Sequence, residues 1–251
     1  MKMLKAITLM LFTTIVFSNC KKNDLATYTP NTYNAYFPLQ VGHVLTYQLD
    51  STVTTNFETA LVTRSYLLQD SIANFFMDNN NDTSYAVYRS ITDLAGTQPW
   101  QPLSTYTVTP YPNRIEVNED NNLRYIKLVT PVTDGYAWSG NSYVDIPANQ
   151  TVGGLLYPNN MNTWQYTYQN TNQPYNVGQA TYNSSVVVFQ DADSTGTFDP
   201  SIYFQQSIAT EVYAKDIGLI YKKFYFVIWQ PQGSNWNPGS FGIELKLVSY
   251  K

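Results

Sequence analysis

The sequence predicts an all-β protein with one antiparallel domain. Aromatic residues make up 16% of the 251-residue chain, with 22 Tyr, whereas charged residues make up only 13%. This balance suits pleated strands and polar turns better than salt-bridged helices, because globular proteins average about 25% charged residues. Short segments in which apolar and polar residues alternate also recur along the chain, and clusters of Asn, Asp, Gly and Pro separate them.

The predicted strands follow one another from residue 44 to residue 249. Most show the period of two that places alternate side chains on one face of a sheet. In chain order they are residues 44–50, 60–68, 85–92, 105–109, 114–117, 123–129, 164–168, 180–189, 202–213, 219–228 and 242–249. Residues 66–76 are the place where we also expect a short helix.

The sequence constrains the strands more tightly than their arrangement. Alternation defines which face is buried, but a sheet can bury that face by curling or by stacking on a second sheet. We predict an open curved sheet or incomplete barrel, with a two-sheet β-sandwich as the alternative. Because no internal repeat or shift in composition marks a second domain, residues 36–251 are predicted to form one domain.

Residues 1–19 have the layout of an export signal. Lys2 and Lys5 precede an apolar run over residues 6–17 that contains no charge. A run of this length is too short to span a bilayer, which needs about 20 apolar residues. We therefore predict a signal peptide and not a transmembrane helix.

Cys20, the only cysteine, directly follows this segment. A lone cysteine at the end of an export signal is typical of a bacterial lipoprotein, in which the thiol carries acyl chains such as palmitate. The preceding residues Phe17, Ser18 and Asn19 resemble the relaxed lipobox of Bacteroidota. We therefore predict lipidation at Cys20, with a polar tether over residues 20–35 that connects the membrane to the domain.

The mature chain carries three longer motifs, which are FPLxxGxxxxY at residues 37–47, KLxxPxxxGxxWxGN at 127–141 and EVYAKxxGLIY at 211–221. These motifs resemble those of uncharacterised envelope lipoproteins of Bacteroidota. They are packing and turn motifs, so the resemblance implies no catalytic residue. Together with Lys21 after the cysteine, it implies the outer membrane of a Gram-negative bacterium, and the periplasmic and surface faces both stay open.

The chain is acidic, with a formal net charge of −4. Without residues 1–19, which carry Lys2 and Lys5 and no acid, the 14 basic residues fall to 12 against 18 acidic ones, a net charge of −6. A surface of this sign repels phosphates, and no run of Lys and Arg reverses it locally. We therefore do not expect nucleic acid as a partner.

Residues suited to catalysis are sparse. His43 is the only histidine, and the sequence contains neither an HExxH nor a GxSxG motif. With Cys20 acylated, a Cys/His metal site or a Cys-His dyad cannot form. The sequence thus supports no enzymatic activity, although a pair of carboxylates for glycoside hydrolysis stays open as an alternative.

One segment, residues 191–199, resembles the first nine positions of a calcium loop. Oxygen ligands at alternate positions and a glycine at the turn are what a hard cation requires. The twelfth position, where a calcium loop has a bidentate acid, is Ile202. We therefore favour a solvated hairpin turn and keep calcium as the alternative, with ligands from Asp191, Asp193, Thr195 and Asp199.

Trp236 is the best candidate for ligand binding. It lies in the segment 230–239, which is rich in Pro, Gly and Asn, and loops of this kind often carry binding groups. The other aromatic residues are expected mainly on the buried faces of strands. We predict a noncatalytic lipoprotein that binds a lipid-like ligand or a partner, with a glycan-binding surface protein or a carboxylate-dependent glycoside hydrolase as alternatives.

Overall fold

The computed structural model describes residues 32–119, 121–147 and 150–251, and this part of the chain is built from β-strands. The strand bounds are β1 Val44–Thr54, β2 Leu61–Met77, β3 Thr83–Asp93, β4 Gln101–Tyr111, β5 Arg114–Asn118, β6 Arg124–Val129, β7 Ala137–Trp138, β8 Thr151–Val152, β9 Leu155–Leu156, β10 Tyr166–Val177, β11 Ala180–Ser194, β12 Phe204–Ala214, β13 Gly218–Gln230, β14 Asn235–Trp236 and β15 Phe241–Tyr250.

Helical structure in the described ranges is limited to three short 3-10 turns at Tyr33–Ala35, Asn56–Glu58 and Met161–Thr163. None of them is long or apolar enough to cross a membrane. The short helix expected at residues 66–76 is wrong, because this segment lies inside β2. There β2 pairs with β1 on one side and β3 on the other, and the two ladders use backbone groups that a helix would bond internally.

A single antiparallel sheet contains 13 strands, and the β8–β9 pair lies outside it. The main path runs in the order β6-β5-β4-β3-β2-β1-β15-β13-β12-β11-β10-β7, and β14 is paired to β13. The predicted all-β class and single antiparallel domain are confirmed. The sheet curls into a nearly closed barrel, so the curved-sheet prediction is confirmed over the two-sheet sandwich.

The two ends of the sheet meet along a seam between β6 and the β7–β10 region. The Ile126 amide donates to the carbonyl oxygen of Gly140 over 2.8 Å, and Trp138 Nε1 donates to the carbonyl oxygen of Ile126 over 2.9 Å. A Cβ at position 140 would overlap the ring of Tyr166, so only glycine allows this approach. The seam explains the Trp and Gly of the middle sequence motif.

Tyr168 on β10 joins the same seam through its hydroxyl group. The hydroxyl donates to the carbonyl oxygen of Val129 over 2.8 Å and accepts from the Val129 amide over 2.7 Å. Val129 ends β6, so one side chain satisfies both backbone groups of a residue at the edge of the sheet. Such buried backbone groups need partners, since leaving them unpaired is costly.

The segment before β1 covers one end of the barrel. The Asp216 amide, in the turn between β12 and β13, donates to the carbonyl oxygen of Ala35 over 2.7 Å. Tyr33 and Tyr36 are both buried, and Tyr33 packs in the main core although the sequence places it in the predicted tether. The predicted domain bounds otherwise stay a prediction.

Tyr168→Phe tests the seam. The variant removes a hydroxyl group and leaves the amide and carbonyl of Val129 without this partner, so we expect a loss of about 2–3 kcal/mol in the free energy of unfolding. Urea denaturation followed by tryptophan fluorescence measures it. Tyr88→Phe, at an exposed tyrosine, is the control and should change stability little. Equal unfolding midpoints for the two variants would contradict the role of the seam.

Candidate functional site

Strand register places charged and polar residues, together with one leucine in each case, in two rows inside the barrel. Across β1 to β4, the first row is Leu45, Asp70, Arg89 and Ser104. Across β15, β13 and β12, the second row is Leu245, Lys222 and Glu211. Residues paired across an antiparallel ladder project from the same face of the sheet. Both rows therefore point into the interior of the barrel.

The rows line a cavity of about 80 Å³ near the end that the N-terminal segment covers. Its apolar wall comes from several strands and from that segment, and includes Phe37, Leu45, Ile72, Val87, Val117 and Leu245. His43 also lines it, with Nε2 donating to the carbonyl oxygen of Ile217 over 2.9 Å. Since Nε2 of the only histidine is engaged in this way, His43 closes the cavity wall and does not present this nitrogen to a ligand.

Asp70 and Arg89 form one ionic group in the cavity. Nε and Nη2 of Arg89 donate to the two carboxylate oxygens of Asp70, each over 2.7 Å. The Tyr106 hydroxyl donates to Asp70 Oδ2 over 3.0 Å. The planar guanidinium matches the carboxylate in this two-point geometry. The pair is therefore held in one arrangement, with the carboxylate already supplied with three donors.

A second ionic group joins β6, β12 and β13 across the interior. Lys127 Nζ donates to Glu211 Oε1 over 2.8 Å, and the Tyr213 hydroxyl donates to Glu211 Oε2 over 2.7 Å. Lys222 Nζ lies 3.5 Å from Glu119 Oε1 and 3.6 Å from Glu211 Oε1. Each of the two lysines thus approaches both glutamates, since Lys127 Nζ is also 3.9 Å from Glu119 Oε1.

The same four charged residues line a second cavity of about 40 Å³ on the far side of the ionic group. Gln190 on β11 also lines this cavity, and no hydrogen-bond partner for its Nε2 exists among the described residues. The remaining lining is largely aromatic and apolar, and includes Tyr125, Tyr166, Phe224 and Phe241. The lysine–glutamate group therefore stands between the two cavities.

The ion pairs keep these groups charged. Burial by itself favours the neutral form of Glu119, but Lys222 and Lys127 outweigh it and lower the pKa of Glu119 from 4.5 to about 2. The pKa of Glu211 is also lowered, since Lys127 and Lys222 outweigh its burial. Burial opposes the charge on Lys222 as well, yet Glu119 and Glu211 raise its pKa. Glu119, Glu211 and Lys222 are therefore charged at neutral pH.

This arrangement is poorly suited to acid–base catalysis. A glycosidase needs one carboxylic acid with a raised pKa that can protonate the leaving group. Glu119 and Glu211 have lowered pKa values, and Asp70 accepts hydrogen bonds from Arg89 and Tyr106. The cavity instead offers fixed dipoles and matched charges beside an apolar wall, which is the chemistry of a binding site.

Trp236 lies outside this interior site. It is half-buried on β14 at the other end of the barrel, where it stacks on Phe198 with ring centroids 5.2 Å apart and packs edge-on against Trp229 at 5.3 Å. Phe204 completes the aromatic cluster. Because Phe198 covers one face of the indole, Trp236 has less free surface for a sugar ring than the sequence led us to expect.

The calcium candidates lie in and after β11, and the structure does not gather them around one point. Asp199 accepts hydrogen bonds from the amide and hydroxyl of Ser201, over 2.8 and 2.7 Å. The Thr195 hydroxyl accepts the Gln205 amide over 3.0 Å. No group of three or more His, Cys, Asp or Glu residues that could hold a metal ion occurs in the described ranges, Asp191 and Asp193 included.

Lipidation of Cys20 falls outside those ranges and stays a prediction.

Sequence reasoning did not single out the interior charges. A signal was present, because Asp70 lies between Leu68 and Ile72, and Arg89 between Val87 and Ile91, at positions that alternation assigns to the buried face. A charge in such a position is expensive unless it is paired. The sequence could therefore have marked these strands as carrying a polar interior, but not which charges meet.

Two of the solved structures that are similar to this chain are only distantly similar to it. A "putative lipoprotein" from Parabacteroides distasonis is 11% identical, with 89% of this chain and 100% of that chain covered and a TM-score of 0.36. A DUF1329 family protein from Desulfovibrio piger is 11% identical, with 84% and 86% covered and a TM-score of 0.18. A scan against protein-family models and a search of curated proteins both find no match.

Glu119→Gln tests the charge state of the ionic cluster. Because the folded-state pKa of Glu119 lies below 4.5, its charge stabilises the fold above pH 4.5, and this contribution is lost as the pH falls toward 2. We expect the stability difference between wild type and variant to shrink by roughly 2–3 kcal/mol from pH 6 to pH 2. Urea unfolding across this pH range measures it.

Asp145→Asn, at an exposed carboxyl group, is the control for general acid effects. Its stability should stay within about 0.5 kcal/mol of wild type, as for most surface substitutions. A stability difference for Glu119→Gln that does not change between pH 6 and pH 2 would show that Glu119 carries no stabilising charge in the folded protein.

Proposed function

We propose that the protein is a lipid-anchored protein of the cell envelope that binds a small ligand inside the barrel without converting it. The observation that carries this proposal is the cavity of about 80 Å³, in which an apolar wall adjoins two fully paired ionic groups. Ligand sites typically combine a largely apolar lining with a few fixed polar groups. The interior of this barrel has that combination.

The anchor in this proposal rests on the N-terminal sequence. Lys2 and Lys5, the uncharged apolar run and the lone Cys20 occur in the order of a lipoprotein signal. Several acyl chains on one cysteine give stable membrane attachment, whereas one chain binds only marginally. We propose the outer membrane as the location because Lys21, and not Asp, follows the cysteine.

The size of the cavity limits the ligand. A water molecule needs roughly 10–15 Å³ on this volume measure, so the cavity would hold only about five to eight waters. A ligand of a few carbon atoms fits, and a longer molecule would place only one end there. We therefore propose a small amphipathic ligand, or the end of a lipid-like one, with its apolar part against Val87, Val117 and Ile72.

The alternatives receive less support. The carboxylates of the cavity are engaged as ion-pair acceptors, which disfavours a glycoside hydrolase. The aromatic cluster around Trp236 is the remaining candidate for a glycan, but the stacked Phe198 occupies one face of the indole. Neither alternative has an observation that favours it over binding in the cavity.

Ser104→Phe tests ligand binding in the cavity. Ser104 lines the cavity, so a phenyl ring there would occupy space that the ligand needs. With 1-hexanol and hexanamide as probes, we expect at least about a tenfold loss of affinity, or about 1.4 kcal/mol, by isothermal titration calorimetry. Thr105→Phe is a matched control, because the next residue of β4 is exposed and points to the opposite face.

Two outcomes would count against binding in the cavity. The first is that wild-type protein binds neither probe. The second is that Ser104→Phe and Thr105→Phe bind the probes with the same affinity. Circular dichroism of both variants confirms that each has kept its sheet before affinities are compared.

Cys20→Ser tests the anchor. Without the thiol, acylation cannot occur, so we expect the variant to leave the membrane fraction and its mass to lack the acyl chains that intact-protein mass spectrometry should detect on the wild type. Cell fractionation measures the distribution of both proteins. An unmodified Cys20 in wild-type protein recovered from the soluble fraction would contradict lipid anchoring.

A further inference from the structure

We propose that the ligand carries no net charge and extends from the larger cavity into the smaller one, where an acceptor atom at its polar end binds the side-chain amide of Gln190. This inference rests on the proposed binding function and specifies its ligand. Suitable polar ends are amides, esters, ketones and alcohols, all of which carry an oxygen that accepts a hydrogen bond.

Gln190 is the observation from which the inference starts. The residue is only 8% exposed, it lines the smaller cavity, and its Nε2 lacks a hydrogen-bond partner among the described residues. Leaving a buried polar group unpaired costs about 1–3 kcal/mol. An acceptor in the cavity would remove this cost, so the site favours a ligand that brings one.

The backbone directs Gln190 inward. The β11–β12 register is irregular between Phe189, which pairs with Thr210, and Asp191, which pairs with Ala209, so Gln190 is the extra residue of a bulge. Val188, two residues before Gln190 on β11, pairs with Glu211 of the ionic group. A bulge often re-aims a side chain, and here it places an amide next to the charged cluster.

The two cavities meet at the ionic group. Glu119, Lys127, Glu211 and Lys222 line both of them. Apart from the Lys127–Glu211 contact of 2.8 Å, the lysine–glutamate distances in this group are 3.5, 3.6 and 3.9 Å. Because Coulomb attraction falls with distance, separating these longer lysine–glutamate contacts costs less free energy than separating the 2.8 Å contact. A slender ligand could therefore pass beside Glu119 toward Gln190.

The charge balance excludes an ionic ligand. The larger cavity is lined by three carboxylates and three cations, which are Asp70, Glu119, Glu211, Arg89, Lys127 and Lys222. Each acid in this set has a cation within 4 Å, as each cation has an acid. An added charge would lose its water without gaining an unpaired counter-ion, which is unfavourable in an enclosed site.

The volumes set the ligand's size. An engineered cavity of about 150 Å³ binds benzene, a molecule of six carbon atoms. The cavities of about 80 and 40 Å³ together offer slightly less room, and both are partly open. A chain of about six carbons with one acceptor group therefore matches the space. Hexanamide, hexanoate and hexylammonium are suitable probes because they share a chain and differ in charge.

The test is isothermal titration calorimetry of the purified full chain with these three probes. We expect hexanamide to bind at least about tenfold more tightly than hexanoate or hexylammonium, and Gln190→Leu to weaken hexanamide binding by about tenfold. Gln173→Leu, at an exposed glutamine of β10, is the matched control and should change the affinity less than about twofold.

The outcomes separate this inference from the proposed function. The inference fails if wild-type protein binds a charged probe as tightly as hexanamide. It also fails if Gln190→Leu keeps full affinity for hexanamide, which would mean that only water occupies the smaller cavity. In both cases the proposal of ligand binding in the barrel stands. If none of the probes binds, the proposed function fails with it. Should Gln190→Leu not fold, equal wild-type affinities for hexanamide and 1-chlorohexane, a poor acceptor, would overturn the inference.

Discussion

Lys127 on β6 reaches Glu211 on β12 across the interior of the barrel, and the two residues are 84 positions apart in the chain. Lys222 and Glu119 complete the cluster, so that β13 and the end of β5 are tied to the same point. Replacing a buried pair by apolar residues is often neutral, but removing one partner typically costs about 3–5 kcal/mol. Separating any of these charges from its partners would therefore weaken the closed barrel, and the cluster lies between the two cavities.

Tyrosine hydroxyl groups supply hydrogen-bond donors to the buried carboxylates of this interior, so that no further cations are needed. Tyr213 donates to Glu211 and Tyr106 donates to Asp70, so each carboxylate gains a donor without another cation. Burial, reinforced by Glu211, raises the pKa of Tyr213 well above its usual value, which keeps the phenol protonated as a donor. The tyrosine-rich composition thus reflects a fold whose buried acids and backbone groups are satisfied by phenol hydroxyls.

The sequence predicted the strands because alternation is local, and the structure confirms the all-β class. It did not predict how β2 extends through residues 66–76, because pairing on both sides overrode a weak helical pattern. Alternation also could not choose between curling and stacking, since the seam depends on contacts such as Tyr168 with Val129, 39 residues apart. Sequence separation also concealed the site, because its charges come from β2, β3, β6, β12 and β13 and the end of β5.

The larger cavity is lined in part by the segment that follows the predicted anchor and tether. Phe37 and Pro38, which follow the predicted tether, line the larger cavity, and the preceding residues bond to the β12–β13 turn through Ala35 and Asp216. The wall of the site and the attachment of the domain to its tether are thus parts of one segment. In the proposed binding mode, a ligand that enters beside this segment would meet the wall formed by Phe37 and Pro38 first and the charged cluster second.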